Sequence, residues 1–138
     1  MQPSKFLRVV LCVAGGIAAV IGALILSSPA AFYATNHIDL GNNASLLSEI
    51  RAPAGALFVY GLLIVTGAFV SQLTFTATLL ATLLYLSYGF SRLAGMAIDG
   101  LPALSLVGSD AIEIGLGLLC LFCLWRYWPA TQPWSTSR

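Results

Sequence analysis

The chain has 138 residues, of which 59% are hydrophobic and only 8% charged, with a formal net charge of +1. Soluble domains carry roughly 25% charged residues, and a mean hydropathy of +0.92 implies more apolar surface than one soluble domain of this length can hide. Six Lys and Arg in total leave no basic stripe for phosphates, which excludes nucleic acid as a partner and leaves the lipid bilayer.

Phe6 to Leu26 is apolar apart from Arg8 and long enough to cross a bilayer. Gly15, Ala19 and Ala23 repeat at four-residue spacing, a face on which helix backbones approach closely. A basic start followed by Ser28-Pro29-Ala30 also fits a cleaved signal peptide. The apolar run from Val9 to Leu26 exceeds the roughly 7–15 residues of a signal, which favours a membrane helix.

Ser27 to Leu47 is expected to be a connection, with Pro29 stopping the first helix and Phe32 and Tyr33 at the interface. His37 is the one histidine of the chain and reads as solvated rather than metal-ligating, because no cysteine or second histidine stands near it. No metal or cofactor is expected. Asn43-Ala44-Ser45 matches a glycosylation sequon and carries no weight on three residues.

A second helix is expected over about 46–70. Pro53 either opens it or kinks it, since proline cannot donate to the carbonyl of Glu49. Gly55, Gly61 and Gly67 are expected to thin this helix for packing. A third helix follows over about 74–98. Its Tyr85, Tyr88, Arg92, Met96 and Asp99 share one face, and Gly100 and Pro102 end it. The fourth spans about 106–128, where Asp110-Ala111-Ile112-Glu113 fits a capping box at its start. Trp125, Tyr127, Trp128 and Trp134 form a closing aromatic belt.

The fold expected is therefore all-α: a single domain over 1–138, forming an integral membrane four-helix bundle. Lys5, Arg8, Arg126 and Arg138 fall on the side of the termini, against Arg51 and Arg92 on the other. The positive-inside rule then puts both termini in the cytoplasm. Every acidic residue (Asp39, Glu49, Asp99, Asp110 and Glu113) lies on the opposite side.

Ionisable residues at a membrane boundary are costly and mark sites. Glu49, Arg51, Tyr85, Tyr88, Arg92, Asp99 and Glu113 are the candidate ligand-binding residues. Arg51 and Arg92 are read as anion clamps, because the guanidinium fork suits carboxylate or phosphate, and Glu49 and Glu113 as acid/base candidates. The plainer reading is an ion-pair network between helix ends, with Asp110 and Glu113 as caps. The cysteines Cys12, Cys120 and Cys123 all lie in apolar runs, which excludes a disulfide framework. Burial also keeps the Cys120-Leu121-Phe122-Cys123 pair from thiol chemistry.

Leu47-Ser48-Glu49-Ile50-Arg51-Ala52-Pro53, with Tyr88-Gly89-Phe90-Ser91-Arg92 and Asp99-Gly100-Leu101-Pro102, resembles a bacterial family of four-helix membrane proteins catalogued as a domain of unknown function. The resemblance runs over nearly the whole chain and implies a multi-pass protein of the bacterial inner (plasma) membrane. It supplies no activity or catalytic residue. The layout is also distantly similar to DoxX-like membrane proteins, some of them associated with quinone-linked oxidation, an analogy at the level of fold. The leading expectation is a non-enzymatic protein whose Arg/carboxylate cluster binds a small amphipathic ligand, such as a lipophilic molecule or quinone, or a membrane partner. The alternatives are a small membrane enzyme or quinone-linked accessory subunit, and a channel-like homo-oligomer.

Overall fold

The computed structural model describes residues 4–127. Trp128, Trp134 and Arg138, assigned above to the aromatic belt and the basic terminus, lie outside the described residues. Within them the fold is all-α, without strands: α1 (Lys5–Ser27), α2 (Pro29–Ala34), α3 (Ala44–Phe69), α4 (Thr74–Asp99) and α5 (Leu104–Arg126). Three of these, α1, α3 and α5, are long and apolar enough to cross a membrane.

Local chemistry sets the helix ends. The Ser4 hydroxyl caps α1 by accepting from the Leu7 amide at 3.2 Å. Ser28 leaves the helical region at φ −147°, and Pro29 opens α2 in the first-turn position that tolerates proline. The stretch expected to be turn material thus contains a short helix. α2 ends in a Schellman arrangement, with the Ile38 amide on Tyr33 O at 3.1 Å and the His37 amide on Ala34 O at 3.0 Å. His37 takes the left-handed position at φ 60°, where glycine or asparagine is usual, and is exposed. Its place in the chain is explained by the turn.

Asn43 caps α3, its Oδ1 accepting from the Ser45 and Leu46 amides at 3.0 and 3.2 Å. The residue that heads the sequon is therefore a helix cap. Because α3 starts at Ala44, Pro53 stands inside the helix rather than in its first turn. A second correction concerns α5, which begins at Leu104 behind Ala103, a residue without a capping side chain. Asp110 and Glu113 lie beyond its first turn, so neither caps it.

α4 is as long as α3 but more polar. Its Thr74, Thr78 and Thr82 are buried, and each hydroxyl is consumed by a backbone carbonyl: Thr74 donates to Gly67 O at 2.8 Å, Thr78 to Thr74 O at 2.7 Å, Thr82 to Thr78 O at 2.8 Å. A hydropathy average counts these hydroxyls as polar although backbone carbonyls of α3 and α4 satisfy them.

The helices associate in two antiparallel pairs. In α1–α3, a Cβ on Gly15 would stand 2.7 Å from Gly61 O, and one on Gly22 would stand 2.5 Å from Phe58 N. Backbones this close admit only hydrogen as a side chain. In α4–α5, Gly89 receives Ile114 and Gly117 receives Leu86. The glycines that make these contacts are only partly those the spacing picked out. Gly22 does so unanticipated, whereas Gly55 has only Leu26 Cδ2 at 3.8 Å. Gly67 against Ala77 joins the two pairs beside the α3–α4 turn.

A dense core fills the end of the molecule nearer the N-terminus. Leu7, Leu11 and Ala14 of α1 pack there with Ile64 and Ala68 of α3, Ala77 and Ala81 of α4, and Cys120 and Cys123 of α5. Close packing stops at Tyr85. Its hydroxyl donates to Ala14 O at 2.6 Å, a buried bond linking the two pairs.

Candidate functional site

Beyond Tyr85, toward the α2 end, the two pairs enclose a cavity of about 410 Å³. Its walls are mainly aliphatic: Ile17, Ala18, Ile21 and Ile25 of α1, Ile50, Ala54 and Leu57 of α3, and Leu84, Leu106 and Ile112 of the other pair. Pro53 also lines it. The roof is α2 and its C-terminal turn, where Phe32 and Tyr33 pack edge to face with centroids 5.7 Å apart beside Asn36 and Ile38. Ser105 at the start of α5 donates to Asn36 Oδ1 at 2.8 Å, tying the roof to the second pair.

Besides Tyr33 and Asn36 of the roof, the polar residues of the cavity come from α4 and α5. Tyr85, Tyr88 and Arg92 follow one another at helical spacing on α4, which brings all three to the lumen. Glu113 comes from α5, and Arg92 Nε faces its Oε2 at 3.1 Å, the one ion pair among the described residues. Glu113 Oε2 is itself buried, and no polar group of the described residues other than Arg92 approaches it. Asp110 precedes Glu113 by one turn. It is only 3% exposed, and its Oδ1 lacks a partner. Asp110 is not among the cavity walls. The α4–α5 register set by Gly89 and Gly117 carries it level with Leu93, next to Arg92.

Tyr85, Tyr88, Arg92 and Glu113 are thus brought together. Glu49, Arg51 and Asp99 are not: all three are exposed and none lines the cavity. Arg51 spends its Nε on Leu26 O at 3.3 Å, placing a cation on the last turn of α1, where orphan carbonyls and the helix dipole favour one. The roof residues Phe32, Tyr33, Asn36 and Ile38 were not anticipated as part of a site. The readable signal for them was an aromatic pair directly after a serine–proline break.

Arginine facing a carboxylate at one end of an apolar slot can orient a small molecule with a polar end and a hydrocarbon body, and can offer it both charge and hydrogen bonds. Among the described residues, no group of His, Cys, Asp and Glu is arranged to hold a metal ion. Cys120 and Cys123 are fully buried in the core, away from the cavity.

The family model described as "Domain of unknown function (DUF4345)" matches residues 6–124. No curated protein and no solved structure matches the chain.

Proposed function

The chain thus belongs to the DUF4345 family, and we propose that it is a non-enzymatic integral membrane protein that binds one small amphipathic molecule between its helix pairs. The observation that carries this reading is the placement of the Arg92–Glu113 pair at the polar end of a mainly apolar cavity of about 410 Å³. This volume and this balance of apolar wall to few polar groups are those of ligand pockets, typically about 300–1,000 Å³.

In this reading α4 crosses the bilayer together with α1, α3 and α5. Its length of 26 residues supports that, as does the internal satisfaction of its threonine hydroxyls. Four spans bring both termini to one side. Lys5, Arg8 and Arg126 there favour the cytoplasm, the membrane being the bacterial inner membrane. The cavity then opens in the outer half of the bilayer, where a guest shields Arg92 and Glu113 from hydrocarbon.

The test is mass spectrometry of the purified protein and of its Arg92→Ala and Ala18→Leu variants. A co-purified amphiphile present in the wild type and reduced in both variants is the expected result. An equal yield of the same molecule from all three overturns the reading.

A further inference from the structure

Resting on the cavity just described, the polar groups around it define the head of its guest. Several are already committed. The Tyr85 hydroxyl donates to Ala14 O, the Ser109 hydroxyl to Ser105 O at 3.0 Å, and Asn36 Oδ1 accepts from Ser105. What remains at the polar end is the Arg92–Glu113 pair, with the Tyr33 and Tyr88 phenols beside it. Its two charges cancel, and the carboxylate side chain, 17% exposed, still presents acceptor capacity to the lumen.

Three kinds of head can be weighed against this arrangement. A carboxylate or phosphate would sit beside Glu113, with buried Asp110 one turn behind it, and like charges at short range in an apolar medium repel strongly. The cation it would meet, Arg92, is already paired. An ammonium would meet the guanidinium of Arg92 in the same slot and would have to break the existing pair. A hydroxyl leaves the pair intact and donates to the part of the Glu113 carboxylate that faces the lumen, a charge-assisted hydrogen bond.

We propose that the cavity takes an uncharged, single-chain amphiphile whose hydroxyl donates to the Glu113 carboxylate, with its tail running toward Tyr85 between Ile17, Ala18, Leu57 and Leu84. A volume of about 410 Å³ lies near the lower end of ligand-pocket sizes and suits one chain rather than the two of a membrane phospholipid.

The experiment uses the full chain in phosphatidylcholine nanodiscs. A monoacylglycerol, the fatty acid and the alkylamine of the same chain length are compared as isotope-labelled probes by native mass spectrometry. The monoacylglycerol is expected to bind saturably and about tenfold more tightly than the other two, with Glu113→Gln lowering its affinity about tenfold, the worth of a charge-assisted hydrogen bond. Preference for the fatty acid, abolished by Arg92→Ala, would make Arg92 an anion clamp and overturn this inference while leaving amphiphile binding in place. Preference for the alkylamine would overturn it equally. Saturable binding of none of the three would remove both this inference and the reading it rests on. The probe comparison uses the wild type, so it decides the question even if Glu113→Gln does not fold.

Discussion

Arg92 Nε of α4 and Glu113 Oε2 of α5 face each other at 3.1 Å, with the Glu113 side chain 17% and the Arg92 side chain 36% exposed. The contact ties the second helix pair together at the polar end of the cavity, where Gly89 and Gly117 have already set its register. Removing one partner leaves the other charged in apolar surroundings, which costs more than the pair contributes. A double-mutant cycle over Arg92→Ala and Glu113→Ala is expected to show a coupling of about 1–3 kcal/mol in SDS-denaturation midpoints. Additive losses would mean that the two side chains do not interact.

The two arginines remote from the termini are predicted to behave differently. Arg51 donates to the exposed end of α1 and stands apart from the cavity. Arg51→Gln should cost up to about 1 kcal/mol of stability, the range of a hydrogen bond at a helix C-terminus, and leave co-purified ligand unchanged. Arg92→Gln should deplete that ligand. Equal depletion by both variants would return Arg51 to the site.

Packing of the first pair is predicted to be intolerant at particular glycines. A Cβ on Gly61 meets the backbone at Ala19 N and Gly15 O, neither of which can move aside as a side chain would, while one on Gly16 meets nothing within 4 Å. Gly61→Ala should destabilise by about 1–3 kcal/mol, the usual cost of overpacking. Gly16→Ala should be neutral or gain up to about 1 kcal/mol from lower unfolded-state entropy. Thermal scans of both variants in one detergent check the contrast.

His37 offers a stabilising substitution. At φ 60° its side chain pays the left-handed penalty, which glycine avoids. His37→Gly should raise stability by up to about 1 kcal/mol if the Schellman turn at the end of α2 persists in solution, and a loss of similar size would contradict that geometry.

The helical character of the chain was legible because its apolar runs are long and interrupted at Pro29, Ser71-Gln72 and Gly100. The rest depended on relations that a linear pattern does not carry. α2 is six residues long, too short to be stable alone; it exists because its aromatics roof a cavity formed by other helices. Asp110 and Glu113 imitate a capping box, yet α5 starts behind an uncapped Ala103, and its packing against Gly89 leaves both acids inside the helix. Tyr85, Tyr88 and Arg92 could be grouped by spacing on one helix. Glu49 and Arg51 were grouped with them by depth alone, and depth does not say which way a side chain points. The cavity depends on where the two pairs stop packing, just past the Tyr85–Ala14 bond, and that is a property of the assembled helices.

The most direct measurement is photolabelling in nanodiscs with a diazirine-bearing monoacylglycerol, followed by peptide mapping with and without excess unlabelled monoacylglycerol. Labelling of the Tyr88–Arg92 and Ser109–Glu113 segments, suppressed by the competitor, is the expected result. Labelling confined to outward-facing residues such as Leu62 and Leu118, and unaffected by the competitor, would contradict it.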